Sequence, residues 1–572
     1  MVGRVGAALA RGRVPARATL WPAAWSLLLA VLLLGGALGH GYVLSYDMVW
    51  VPDLALGRDA LGTGTALPRA VPSDAVVAVL DEVLGGMLLQ KLVLLVPLVA
   101  VGAGAAALAG RGTPARLVAA TVAVWNPFVV ERLAIGHWPL LIGYGVLPWV
   151  LLAATSWRTS GTLPARVPLL LLLGSLSATT GLVSAVALLA GAGTSRARRW
   201  WAMGALVLVA NLPWLAAGLL HAADATSSAT GADVFAPSHE GLLPAPLTFL
   251  SLGGIWNAGV VPPTRTGVLG VVATVALLVL AGTGAVRGWS RVPEPLRRPL
   301  VACWAVGLGL TLATWAAPAA TGWLASTVPG AGLLRDGSRA LALAAPLAAV
   351  LAGRGAAAVV GLLPDALSRA MIAFACAVAP VALMPDAALG LAGRLSAVDY
   401  PTSYVALADA LPALPPGDAV LLPFASYRAP DWNDGGRPVL APLGRYLPRR
   451  VVVEDRLVVD GRAIAGEDPR ATTVREALAA PTSAGRAAGL RAAGIRLLVV
   501  EDLPGHPVPD VTGREVWRGG DLRVVDLGAG RAVPGPPRAW TLVMGASWAA
   551  WCALPLLGGV LVVRRSRSKS SR

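Results

Sequence analysis

Leu20-Trp21-Pro22-Ala23-Ala24-Trp25-Ser26-Leu27-Leu28-Leu29-Ala30-Val31-Leu32-Leu33-Leu34-Gly35-Gly36-Ala37-Leu38 runs without a charge. It leads directly into Gly39-His40-Gly41-Tyr42-Val43-Leu44-Ser45-Tyr46-Asp47-Met48-Val49-Trp50-Val51-Pro52-Asp53. The apolar part is long enough to cross a hydrocarbon core of about 30 Å as a helix. Arg4, Arg11, Arg13 and Arg17 precede it. A secretory signal with a cleavage point at Ala37-Leu38-Gly39 is the competing reading, but a signal core is only about 7–15 residues long, so the run is read as an uncleaved first transmembrane helix.

Outward from this stretch the same signature recurs. Apolar runs follow near 87–109, 115–131, 138–156, 201–220, 266–286, 299–318, 339–362, 369–387 and 538–563. Two short pieces near 167–179 and 180–193 read as a hairpin too short for two full spans. The expectation is an α-helical polytopic membrane protein of about twelve transmembrane helices. The composition agrees, with 56% hydrophobic and 14% charged residues; a soluble domain carries nearer a quarter charged residues to solvate its surface.

The formal charge of +16 would suit a nucleic-acid binder, but its distribution excludes that partner. With the N-terminus inside, Arg111/Arg116, Arg158/Arg166, Arg196/Arg198/Arg199, Arg287–Arg298 and Arg354/Arg369 all fall on the cytoplasmic side. The inner segments then hold 22 of the 47 basic residues against two acids, Glu294 and Asp365. That is the positive-inside pattern of a multi-pass protein of the plasma membrane with both termini cytoplasmic. Cys303, Cys376 and Cys552 all lie in apolar runs, so no disulfide framework is expected.

The domain plan is a transmembrane module 1–389 with a large first external loop 40–86, an extracytoplasmic α/β domain 390–535, a last helix 538–563 and a basic tail 564–572. The 390–535 segment has 17 arginines against 17 acids, the balance of a folded domain. Asp418–Leu422 and Ile495–Glu501 read as buried strands, the second preceded by an Ala-rich helix over Thr482–Ala493. Val516 to Val525 reads as a hairpin turning at Gly519-Gly520.

Polar groups gather at the external ends of the spans. Asp47 and Asp53 follow the first helix, and a carboxylate there can deprotonate a hydroxyl or ligate a divalent cation (Mg or Mn, with Asp47 as the ligand) on a phosphate leaving group. Pro72-Ser73-Asp74 opens a helix suited to the membrane interface, with Asp81 and Glu82 on its solvated face. Asn126-Pro127 breaks the third long helix, gathering Glu131, Arg132 and His137 in a tight turn before Trp138. Arg335-Asp336-Gly337-Ser338-Arg339 places two arginines four apart, which on one helical face would clamp a phosphate; internal pairing with Asp336 is the alternative. No phosphate-binding glycine loop, nucleophile triad or His-rich metal motif occurs.

In this order of elements the chain resembles the GT-C superfamily of integral membrane glycosyltransferases, and its Tyr46-Asp47 to Pro52-Asp53 segment is similar to the start of actinobacterial arabinofuranosyltransferase-type members. Asn126-Pro127-Phe128, Glu131-Arg132-Leu133 and Gly136-His137-Trp138-Pro139 resemble a recurring segment of actinobacterial relatives. The chain departs from the superfamily in lacking an adjacent acidic pair after the first helix and the Trp-Trp-Asp-Tyr signature of oligosaccharyltransferases. The resemblance implies a cell-envelope transferase using a polyprenyl-phosphate sugar donor and a glycan or glycolipid acceptor in the membrane lipid. Asp47 would be its loop acid, Glu131 and His137 would orient the acceptor, and Arg335 and Arg339 would hold the phosphate. A lipid-linked glycan flippase or exporter would want polar groups at mid-membrane depth and repeated halves, which are not seen. A membrane scaffold displaying the 390–535 domain is the third reading.

Overall fold

The computed structural model describes residues 16–65, 67–223, 226–459, 461–503 and 506–570. Arg4, Arg11 and Arg13 lie outside them. Among the described residues nine helices are long and apolar enough to cross a membrane. A tenth span forms if Ala366–Ala382 and Pro385–Ala392, bent by 67° at their junction, are counted as one. The sequence suggested about twelve because it counted the short hairpin, which is present as Val167–Leu173 and Ala178–Ala192. Ser177 turns that hairpin, its hydroxyl and that of Thr180 capping each other's backbone amides.

The centre of the bundle is the span Thr113–Ala134, flanked by Gly86–Leu108 and the Leu341–Val360 helix. Small residues allow this closeness: a Cβ on Gly353 would meet the backbone of Ala115. The central span is broken within the bundle. Its first helix stops at Val124, and Asn126 caps the second, Pro127–Ala134, accepting from the Val129 amide at 3.1 Å. The Asn126 amide also returns donors to the Val122 and Ala123 carbonyls at 2.9 and 3.0 Å, so the break leaves those carbonyls satisfied inside the bundle.

Basic turns collect at one end. Arg354 donates to the Arg111 and Arg291 carbonyls at 3.1 Å each, and Arg158 bonds the Pro295 carbonyl. The α/β domain caps the opposite end. Its five strands run in the order Arg514–Gly519, Leu522–Asp526, Ile495–Glu501, Asp418–Leu422, Val451–Val452. Neighbours among the first three are antiparallel, and the last two join in parallel. Alternate residues feed two layers: Val420, Leu422, Leu498 and Val500 pack under Pro469–Leu478 and Ser483–Ala492, while Ala419, Leu421, Leu497 and Val499 pack with Tyr404 and Leu407 of Thr402–Ala410.

The domain is stitched to the first loop. Tyr42–Val43 pairs antiparallel with Ala397–Val398, and Tyr46 bridges Val439 of the ribbon Tyr427–Arg428/Val439–Leu440. This seam positions the site below.

Candidate active site

Asp47 lies in a tight turn in which the Ser45 amide donates to the Met48 carbonyl at 3.2 Å and the Met48 amide to the Ser45 carbonyl at 2.8 Å. Tyr46 takes a positive φ of 46° there, an uncommon conformation for a bulky residue. The turn is clamped from both sides. The Tyr46 amide donates to Pro438 at 2.7 Å, and the Tyr46 carbonyl accepts from Leu440 at 2.9 Å. From the bundle, Ile135 accepts from the Asp47 amide at 3.1 Å and Ala134 from the Ser45 hydroxyl at 2.6 Å. Gly136, at φ 85°, sits against this turn, and a Cβ there would collide with the Met48 amide.

The Asp47 carboxylate is 37% exposed and held at both oxygens: Oδ2 lies 3.0 Å from His137 Nε2, and Oδ1 accepts from the Tyr427 hydroxyl at 2.5 Å. The tautomer of His137 follows from its other neighbour. Arg132 Nη1, which can only donate, lies 3.2 Å from Nδ1, so Nδ1 accepts and the proton is on Nε2, pointing at Asp47. Burial pushes the Asp47 carboxyl up, but the bonds from His137 and Tyr427 and the charge of Arg339 outweigh it and hold it below the ordinary carboxylate range. Burial, then the Arg339 charge, lowers His137, keeping the imidazole neutral at neutral pH.

Behind His137 a polar network descends into the bundle. Arg132 grips Asp336 at 2.9 and 3.4 Å and Ser338 at 2.5 Å, and Arg339 Nε donates to the same Asp336 at 2.9 Å. Arg132 and Asp336 are buried, at 1% and 3% side-chain exposure. Despite burial, the Arg132 and Arg339 charges hold the Asp336 carboxyl well below its usual range.

The sequence-derived residues therefore divide. Asp47, Arg132, His137, Asp336 and Arg339 form one chain of contacts. Arg335 and Arg339 do not share an α-helical face: Arg335 closes the 3-10 turn Ala331–Leu334, and Arg339 belongs to the next one, Gly337–Ala340. Arg335 bonds Glu467 at 3.4 Å and lies over the Phe235 ring. Glu131 does not join its neighbour in an exposed turn. Buried, it accepts from the Ile255 amide at 3.3 Å beside Glu240, which Arg265 neutralises at 2.8 Å. Asp53 is exposed near Asp81, and no contact joins it to Asp47. Asp81, expected on a solvated face, is buried and accepts from the Leu54 amide at 2.9 Å.

Three participants escaped the sequence. Tyr427 comes from the α/β domain, as does Glu467, which Arg69 of the first loop binds at 2.6 Å and Ser227 at 2.7 Å. Arg69 and Arg339 both lie close enough to Asp47 for the charges to act on one another. No local pattern marks which tyrosine or glutamate of a distant domain will arrive here. As for a divalent cation, the described residues contain no cluster of three or more His, Cys, Asp or Glu suited to one, and both Asp47 oxygens already accept hydrogen bonds.

The broken-helix bundle capped by an α/β domain is similar in fold to a solved mycobacterial membrane glycosyltransferase. Two structures of the arabinofuranosyltransferase AftD from mycobacteria superpose on the chain with TM-scores of 0.52 and 0.50 at 19% and 20% identity, each over 90% of this chain. The chain spans 42% of the length of those proteins. The archaeal oligosaccharyltransferase AglB from Archaeoglobus fulgidus, at a TM-score of 0.37 and 11% identity over 84% of this chain and 69% of its own, is too distant to argue from. No protein-family model and no curated protein matches the chain.

Proposed function

We propose that the chain is a cell-envelope glycosyltransferase that moves a sugar from a polyprenyl-phosphate donor to a hydroxyl of a glycan or lipid acceptor on the non-cytoplasmic face of the plasma membrane. The observation that carries the reading is a half-exposed carboxylate, fixed at both oxygens, with arginines 69 and 339 beside it. In the transfer, the acceptor oxygen forms a bond to the anomeric carbon as the bond from that carbon to the phosphate oxygen breaks. Attack from the face opposite the leaving group inverts the anomeric centre. The acceptor proton passes to Asp47. A carboxylate of low basicity suffices, because the hydroxyl acidifies as its oxygen bonds to carbon. Arg339, held to Asp336 through Nε, and Arg69 and Arg335, tethered through Glu467, offset the charge gathering on the departing phosphate. His137 and Tyr427 orient Asp47, and Arg132 and Asp336 hold His137.

Asp47→Asn keeps size and polarity but removes the base. Sugar transfer from a polyprenyl-phosphate donor in membranes carrying this variant is expected to fall at least about 100-fold, with protein abundance unchanged. Near-normal transfer by Asp47→Asn would remove Asp47 from the reaction, and absence of transfer by the parent chain with every donor tested would favour the scaffold.

A further inference from the structure

A cavity of about 550 Å³ lies where the α/β domain meets the ends of two membrane helices. Arg58, Arg450, Arg470 and Arg531 line it with His221 and Trp540, and no carboxylate does. Nearby acids are partly spent: Asp418 bonds Arg470 at 2.5 Å and lies 3.8 Å from Arg450, Asp59 lies 3.9 Å from Arg450, and Asp468 accepts from the Arg470 amide at 2.9 Å. Arg58 and Arg531 have no ion pair among the described residues, and both are exposed. Arg58 and Arg531 therefore leave positive charge at the cavity without an ion-pair partner among the described residues.

Its depth is set by the helices. His221 caps the end of Ala197–Leu220 and Trp540 begins Arg538–Ser570, two helices that pack along each other, and the two rings meet at 4.8 Å. Spans ending together under an indole put the cavity at the level where lipid headgroups lie. His221 also links the bundle to the first loop, its ring nitrogens 2.8 Å from the Ala217 carbonyl and 3.0 Å from that of Gly64. Guanidinium forks at that level match a phosphate.

We propose that this cavity binds the phosphate of an anionic phospholipid, fastening the α/β domain and the first loop to the membrane surface. Binding here involves none of the residues around Asp47, so it stands or falls apart from the transferase reading. The test uses the full chain in zwitterionic detergent, titrated with dioctanoyl phosphatidylglycerol, dioctanoyl phosphatidylcholine and inorganic phosphate, with affinity read by calorimetry. The anionic lipid is expected to bind about tenfold or more tightly than the zwitterionic one. R58Q/R531Q should lose that preference while keeping the parent's unfolding temperature without lipid, since both side chains are exposed and unpaired. D47N should bind as the parent does. Equal affinity for the two lipids, or an unchanged preference in R58Q/R531Q, would overturn the proposal. Inorganic phosphate binding as tightly as the anionic lipid would overturn the lipid assignment and make this a site for soluble phosphate compounds.

Discussion

Asp47 carries two hydrogen bonds from different parts of the chain, and the Tyr427 bond can be removed while the His137 bond stays. That bond helps hold the carboxyl below its ordinary range, so in Tyr427→Phe the Asp47 pKa rises. The ionised form is the proposed base. The acid limb of the pH–rate profile is therefore expected to move to higher pH in Tyr427→Phe, with the rate at neutral pH little changed. An unmoved acid limb would mean that Tyr427 does not act through Asp47. Glu131 and Arg132 show where reading by residue fails. Adjacent positions on a helix point about 100° apart, so two charged neighbours seldom serve one site. Arg132 turns to Asp336 and His137, while Glu131 turns to Glu240 and Arg265. Sequence proximity suggested one cluster, and the helix separated it into two.

At the scale of elements, the helix Pro127–Ala134 and the turn after it carry the first loop's acid. Gly136→Ala would force a side chain into a positive-φ position and against Met48. Such backbone strain costs on the order of 1–3 kcal/mol. The expected outcome is a lower unfolding temperature together with loss of transfer, because the Asp47 turn must shift. Full activity in Gly136→Ala would show that the turn does not depend on this contact. The 3-10 turn bearing Arg339 is fastened to Arg132 by Asp336. Removing it as Asp336→Ala leaves Arg132 buried without its carboxylate, a loss of about 3–5 kcal/mol measurable as reduced thermal stability. The sign with pH is fixed by the depressed carboxyl. The Asp336 contribution is fully present above the unfolded carboxyl value near about 3.9 and is lost only as pH falls through the lower folded value. Helices, their break at Asn126-Pro127, the short hairpin and the strands Asp418–Leu422 and Ile495–Glu501 were legible, because apolar period and turn chemistry are local. The pairing of Arg335 and Arg339 on one face was not, since Asp336-Gly337 divides what spacing alone would make a single helix.

For the whole molecule, the basic turns gather at one end of the bundle and the α/β domain at the other, so on the positive-inside rule the domain is expected to be external. With the native cysteines replaced by alanine, a cysteine at exposed Ala465 is expected to react with an impermeant maleimide on intact cells, and one at exposed Ser195 only after lysis. The reverse pattern would invert the topology and place the proposed chemistry in the cytoplasm. The domain's fold was legible, but its docking onto the first loop was not, because the seam pairs segments such as Tyr42–Val43 and Ala397–Val398 that carry no mutual mark. That seam also has a consequence in time. Asp47 and Tyr427 are 380 residues apart, roughly 20–80 s of synthesis at about 5–20 residues per second. Through that interval the growing chain already lies in the bilayer among its lipids, but the strand that grips Tyr46 and the hydroxyl that fixes Asp47 have yet to be made. A ribosome that stops before Leu440 thus leaves behind a membrane-embedded fragment whose acid is held from the bundle side alone, and on the proposed function such an unfinished copy is expected to transfer no sugar.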